Sequence, residues 1–232
     1  MSIRLFVSSF AAGVVALLCV GVAPAQASGE APMATTVRVS LSVPRSVTVY
    51  ANGATGASAT FRVTARDTAG NGLRVACTRA SGAVFHLGKT VVTCTAKSRL
   101  GAAGTASFPV VVAVRGGRFA APLLAAGLVQ KGDQLHASFR LYGADGLTGL
   151  SDAFASSLNA NGRISVHAQQ VGAKTATSQP LTYSPTTHRF STTVQTFAWV
   201  GGADYRVWYS VTAADGTLIA GRAVVLGVRL GA

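Results

Sequence analysis

Short runs that alternate apolar and polar residues, each broken within a few positions by Gly, Pro, Asn or Asp, are what most constrain how this chain can fold. Val37 to Val43 alternates and is punctuated by Pro44-Arg45, then Val47 to Tyr50 continues to the Asn52-Gly53 turn. Phe61 to Arg66 places Phe61, Val63 and Ala65 on one side and Arg62 and Arg66 on the other. Leu73, Val75 and Cys77 oppose Arg74 in the same way. Side chains of a strand point alternately to its two faces, so this period of two predicts half-buried strands, and turns this frequent predict antiparallel pairing. No helical periodicity of useful length competes. Glu30 is the only glutamate and β-branched residues abound, which also favours strands over helices. The fold class expected is all-β, an antiparallel sandwich architecture following an N-terminal signal peptide.

That peptide is read at residues 1–27. Arg4 supplies the positive start, Leu5 to Val22 the apolar stretch, and Ala25-Gln26-Ala27 a small-residue cleavage site. The alternatives are a retained membrane anchor, opposed by Pro24 and the cleavage site, and lipidation at Cys19, opposed by the bulky Leu18 before it. Residues 28–36 are small, polar and proline-containing and read as a disordered leader. No retained transmembrane anchor is expected, and the location expected is secreted, extracellular or cell-surface, with the periplasm as a variant.

Cleavage leaves Cys77 and Cys94, seventeen residues apart on short apolar runs, with no histidine or carboxylate at metal-ligand spacing. A disulfide closing the first lobe is the default reading, and it fits export to an oxidising space. Two free thiols are the alternative.

The run Val75 to Ala96 resembles the hyalin repeat, or HYR, domain: a cysteine before Ser81-Gly82, an aromatic at Phe85, Gly88, the Thr90-Val91-Val92-Thr93 stretch and the second cysteine. The match continues to Phe61–Asp67 upstream and Thr105–Val110 downstream. The resemblance implies an immunoglobulin-like sandwich over residues 37–115, used for extracellular adhesion without catalysis. Lys97-Ser98-Arg99-Leu100-Gly101 stands where that family often has an acidic turn, so no cation-assisted contact transfers. Residues 116–121 follow as a linker, with Arg115-Gly116-Gly117-Arg118 hinge-like in composition.

Residues 122–232 form a second lobe with the same alternation. It is similar to the PxKF domain of bacterial surface proteins at Lys131-Gly132, Phe139 and Leu141, Leu181-Thr182-Tyr183 with Phe190, Gly202 to Val207, and Asp215-Gly216-Thr217. His136 and Ser138 occupy the naming Pro and Lys positions, and Val194 stands where a Trp is usual. The resemblance implies a β-rich extracellular accessory module, and together the two resemblances imply two immunoglobulin-like antiparallel β-sandwich domains in tandem. Within the lobe, Leu150 to Leu158 is the only stretch that reads as helix, with Ser151 as its cap. In the first lobe, Thr105 to Val114 contains Pro109, which cannot donate to a ladder and so predicts an edge strand or a bulge.

Chemistry is sparse. His86, His136, His167 and His188 are isolated, with no zinc pattern. The aspartates fall largely in turns, where Asp67, Asp145 and Asp215 have a conformational reason to exist. No cofactor and no metal are expected, and no catalytic residue is assigned; a small hydrolase is the third reading after the two below.

Twenty Lys and Arg against seven Asp and Glu give a formal charge of +13, or +12 without Arg4. Such a surface is attracted to polyanions, or its arginines simply keep the protein soluble. The candidate anion or partner surfaces are Arg62, Arg66 and Arg74 in the first lobe and Arg206 with Trp208 in the second, where the indole could stack on a sugar or a base. Burial of Trp208 against the other sheet or the first lobe is the favoured expectation. The function expected is therefore a secreted, non-enzymatic adhesion or interaction module with an extracellular protein or glycan as partner. The alternative is a cationic protein binding an acidic glycan, cell-wall polymer or nucleic acid.

Overall fold

The computed structural model describes residues 37–229 except 122 and 124–127. The expected signal peptide and leader lie outside the described residues.

In the first lobe the chain runs through β1 (Val39–Ser42), β2 (Val47–Tyr50), β3 (Ala57–Ser58), β4 (Thr64–Asp67), β5 (Gly72–Leu73), β6 (Val75–Cys77), β7 (Val84–Phe85), β8 (Gly88–Lys97) and β9 (Ala103–Ala113). One sheet has the order β1-β4-β5 and the other β2-β9-β8-β6, with β3 and β7 a separate pair. Pro44 therefore does more than end a strand. It sits where the chain leaves one sheet for the other, since it cannot supply the amide that a continuing ladder needs.

Between the sheets lie Phe85, Val92, Cys94, Phe108, Val110 and Val112, all almost fully excluded from solvent. Every second residue of β8 and β9 contributes, as the alternation requires. Phe61 packs edge-on to Phe108 with ring centroids 5.0 Å apart. The strand expected from Phe61 begins only at Thr64, because the Phe61 amide donates to Ser81 Oγ instead of to a neighbouring strand.

Pro109 does not mark an edge. β9 is an inner strand, antiparallel to β8 and parallel to β2. The ladder to β2 runs from Val110 to Ala113, so Pro109 stands one residue outside it and no partner is lost on that side.

The second lobe continues with β10 (Arg115–Gly116), β11 (Leu128–Gln130), β12 (Gln134–Phe139), β13 (Leu141–Tyr142), α1 (Asp152–Ala160), β14 (Ile164–Gln170), β15 (Thr177–Pro180), β16 (Thr182–Ser184), β17 (Arg189–Gln195), β18 (Asp204–Thr212) and β19 (Leu218–Arg229). A five-stranded sheet of order β11-β19-β18-β14-β15 faces a three-stranded sheet of order β12-β17-β16. Tyr205, Val207, Tyr209 and Val211 of β18 point into the core, as their spacing predicts. Phe139 stacks on Tyr209 at 3.7 Å between centroids, and Phe119 meets both rings edge-on.

The helix expected between Leu150 and Leu158 is α1, which buries Phe154, Ala155 and Leu158. Ser151 stands at its N-cap without making a side-chain cap hydrogen bond.

The two sandwiches join in one compact unit. Arg115 and Gly116, read from composition as part of a hinge, are instead paired with Tyr142 and Leu141. The Val114 amide donates to Ile219 O at 3.1 Å, and the Tyr209 hydroxyl donates to Gly117 O at 2.7 Å. Asn52 Oδ1 accepts the Ala144 amide at 2.7 Å, and Asp215 Oδ2 accepts the Lys89 amide at 2.9 Å. The Arg115 guanidinium lies 4.2 Å from the Tyr50 ring centroid and donates to Ala144 O. Gly88 is required here: it has φ +105°, and a Cβ would meet Asp215 Oδ1 at 2.7 Å.

Candidate functional site

Cys77 and Cys94 form the expected disulfide. They face each other in the β6–β8 register, so the bridge ties neighbouring strands of one sheet, whereas in antibody-type sandwiches it spans the two sheets. Cys94 is wholly buried. A thiol linked in this way has no nucleophile to offer, and its role is structural.

Arg62, Arg66 and Arg74 are all exposed. Arg66 is opposite Ser40 and Gly72 in the register of β4 with β1 and β5, which puts it on the outer face of that sheet. Two residues beyond Gly72, Arg74 continues the same alternation just past the end of β5. Arg62 precedes β4, outside the ladder. The Arg66 guanidinium donates to Gly70 O at 2.8 Å and is thereby held to its own turn. The three form a cationic margin of the first sandwich, not a pocket.

The second candidate pair sits on the outer face of the five-stranded sheet. Burial of Trp208 against another layer does not occur. Its neighbours Val207 and Tyr209 fill the core, which sends Trp208 to the opposite side, where it is half-buried among residues of its own sheet. The β14 register places His167 directly across from it, and the rings stack with centroids 5.0 Å apart and 23° between planes. His167 Nε2 is 2.7 Å from Ser210 Oγ. Partial burial lowers the His167 pKa from its usual value near 6.5, so the imidazole is neutral at physiological pH. On the other flank Trp208 is opposite Ala223 and Ser210 is opposite Gly221. The Arg206 guanidinium lies 5.5 Å from the indole centroid. In the sequence His167 is an isolated histidine with nothing nearby to mark it. Only the pairing of β14 with β18, separated by β15, β16 and β17 in the chain, brings it to Trp208.

The carboxylates explain the character of both surfaces. Asp67 Oδ1 accepts the amides of Ala69 and Asn71, Asp145 Oδ1 those of Leu147 and Thr148, and Asp215 Oδ1 that of Thr217. Asp133 accepts the Gln130 amide. These hydrogen bonds favour the charged form, and they hold the Asp67, Asp145 and Asp215 carboxyls below their usual range. The acids are thus committed to turns. Among the described residues no Arg or Lys lies within ion-pair distance of a carboxylate, and the only acid–base contact is His188 Nδ1 with Asp152 Oδ1 at 2.7 Å.

That contact belongs to a small polar cluster at the N-terminus of α1. The Tyr183 hydroxyl also donates to Asp152, and Asp152 is held in its charged form by the two bonds. Burial, then this bond, pushes the Tyr183 hydroxyl up to about 12. His188 has φ 52°, a left-handed conformation uncommon for a residue with a side chain. Both ionisable partners are roughly half exposed, and among the described residues no Ser, Thr or Cys hydrogen-bonds the imidazole, so the arrangement pins α1 to the β16–β17 turn without completing a nucleophile–base–acid relay there. Among the described residues no three His, Cys, Asp or Glu side chains gather at metal-binding distance, and no helix is long and apolar enough to cross a membrane.

By its sheets this is an all-β protein of immunoglobulin-like sandwiches, antiparallel except for the β2–β9 and β11–β19 pairs. No family model matches the chain, and no curated protein does. Among solved structures, a three-immunoglobulin-domain fragment of titin aligns with 84% of this chain and 66% of its own length, at 13% identity and a TM-score of 0.28. The insect immune protein hemolin aligns over 82% and 46% respectively, at 10% identity and a TM-score of 0.25. A mouse clustered protocadherin fragment aligns over 84% and 68%, at 10% identity and a TM-score of 0.25. The chain spans about two thirds of the titin fragment and less than half of hemolin.

Proposed function

We propose that this protein is a secreted, non-enzymatic interaction module of the adhesion type, built from an HYR-like and a PxKF-like sandwich, that presents rigid strand faces to an extracellular partner. The observation that carries the reading is the separation of charge. Every acid with a resolved side-chain contact is spent on a turn or on the Asp152 cluster, while exposed arginines on two different sheets have no acidic partner among the described residues. A surface made this way is free to engage something outside the chain. The disulfide supports an oxidising compartment, and the contacts between the sandwiches give the module a fixed shape on which recognition can be built. The test is binding of the purified secreted chain to intact cells and to cell-wall fractions, alongside a screen against acyl, glycosyl and phosphoryl substrates. Saturable binding without turnover is the expected result; turnover of any substrate would overturn it.

The same charge separation supports the second reading, a polyanion-binding protein. Each phosphate, sulfate or carboxylate contact releases counterions, so affinity for heparin or DNA falls steeply with salt. Release from both at low salt, without a saturable site, would sink this reading.

A further inference from the structure

The outer face around Trp208 has the elements of a binding site for one particular kind of anion. Its aromatic member is fixed on one flank, where His167 stacks against the indole and is itself held by Ser210. On the opposite flank β19 offers only Ala223 and Gly221 at the two positions facing Trp208 and Ser210, both exposed, so no side chain larger than a methyl group rises there. Val225, opposite Arg206 and 58% exposed, extends the apolar floor. The guanidinium of Arg206 lies over the indole, 5.5 Å from its centroid, and among the described residues it has no ion-pair partner; Asp204, two residues earlier on the same face, is not within 4 Å of it.

We propose that this face binds a uronate residue of an acidic polysaccharide, the pyranose stacking its C–H face on Trp208 while Arg206 takes the carboxylate. This rests on the reading of the protein as an extracellular interaction module and names the ligand chemistry of one of its surfaces. A neutral sugar would use the indole and leave the guanidinium unpaired. A sulfate or phosphate ester alone would use the guanidinium and leave the indole idle. The cation lies against the aromatic ring, which fits a carboxylate carried on the stacked ring itself. In a nucleotide the phosphate is separated from the base by the ribose, which fits this spacing poorly. Aromatic stacking and a guanidinium fork are the two interactions that together distinguish a sugar acid from either rival.

The experiment titrates the full secreted chain with oligogalacturonate and with its fully methyl-esterified counterpart, read by calorimetry and by tryptophan fluorescence. Trp208 is the responsive fluorophore, because Trp199 is buried against Tyr205. The expected result is saturable binding of the acid form with a fluorescence change, and affinity at least about tenfold weaker for the ester and for Trp208→Ala and Arg206→Gln. Arg99→Gln, which removes the same charge from an exposed position on the other sandwich, should bind as the parent does. Thermal melts of each variant exclude loss of folding, and Trp208→Phe, which keeps a stacking ring, should retain most of the affinity. Equal binding of ester and acid, an equal loss in Arg99→Gln, or no binding of the acid form would each overturn the assignment. Binding to cell-wall fractions that survives Trp208→Ala would leave the broader module reading standing while this one falls.

Discussion

The hydroxyl of Tyr209 should couple energetically to a glycine in the neighbouring segment, because the two compete for one space. Tyr209 is fully buried, its ring stacked on Phe139 and its hydroxyl donating to Gly117 O at 2.7 Å. A Cβ built on Gly116 would fall well inside contact distance of that hydroxyl but 3.3 Å from the ring carbon that carries it. Gly116 does not have a left-handed backbone, so alanine there is opposed by sterics alone. Tyr209→Phe leaves the Gly117 carbonyl without its donor and should cost about 1–2 kcal/mol. Gly116→Ala overfills a packed site and should cost about 1–3 kcal/mol. In the double variant the methyl meets a ring edge where the hydroxyl had been. That contact is tight but tolerable, so the double should be no less stable than the worse single, a coupling of about 1–2 kcal/mol. Urea unfolding of the four proteins measures this from midpoints at constant slope. Strict additivity would refute the reasoning, since it would mean that residues 115–117 move independently of the second core, as a linker would.

Reduction, or the Cys77→Ala/Cys94→Ala pair, frees a loop of seventeen residues and should cost about 3 kcal/mol, measured by denaturation with and without reductant. Asn52→Ala removes the acceptor of the Ala144 amide and should lower stability by about 1 kcal/mol, with faster hydrogen exchange at Ala144 while amides around the disulfide stay protected. The folded pKa of His167 lies below its unfolded value, so the unfolded chain binds the proton first. The contribution of this group is fully present above about pH 6.5 and is lost as pH falls through the folded value, a slope that His167→Gln should flatten in pH-dependent melts. The depressed carboxyls of Asp67, Asp145, Asp152 and Asp215 act in a separate window. Their contribution is present above the ordinary carboxylate range and disappears as pH drops through their lower folded values, so acid unfolding below about pH 4 should persist in the His167 variant.

The sequence by itself determined much that depends on near neighbours in the chain, though not the Ser151 cap or the start of β4. Alternation fixed the inward faces of β8, β9, β14 and β18, because a strand's side-chain period is two wherever the strand lies. Turn residues set where the chain reverses, two lone cysteines set the disulfide, and the charge excess was countable. Arg206 and Trp208 could be placed on one outward face from their spacing alone. What surrounds them could not. His167, Ala223 and Gly221 come from strands that meet β18 only after the sheet order is chosen, and that order is set by long-range packing of the core. For the same reason Pro109 proved compatible with an inner strand, since the ladder to β2 begins one residue later. Asn52 and Asp215 look like turn formers locally, yet their side chains also accept amides from the opposite sandwich. The segment at Arg115–Gly117 has the small, flexible composition of a hinge. Tertiary structure turned that smallness to another use, because a glycine that packs beneath a buried tyrosine hydroxyl is chosen for the space it leaves.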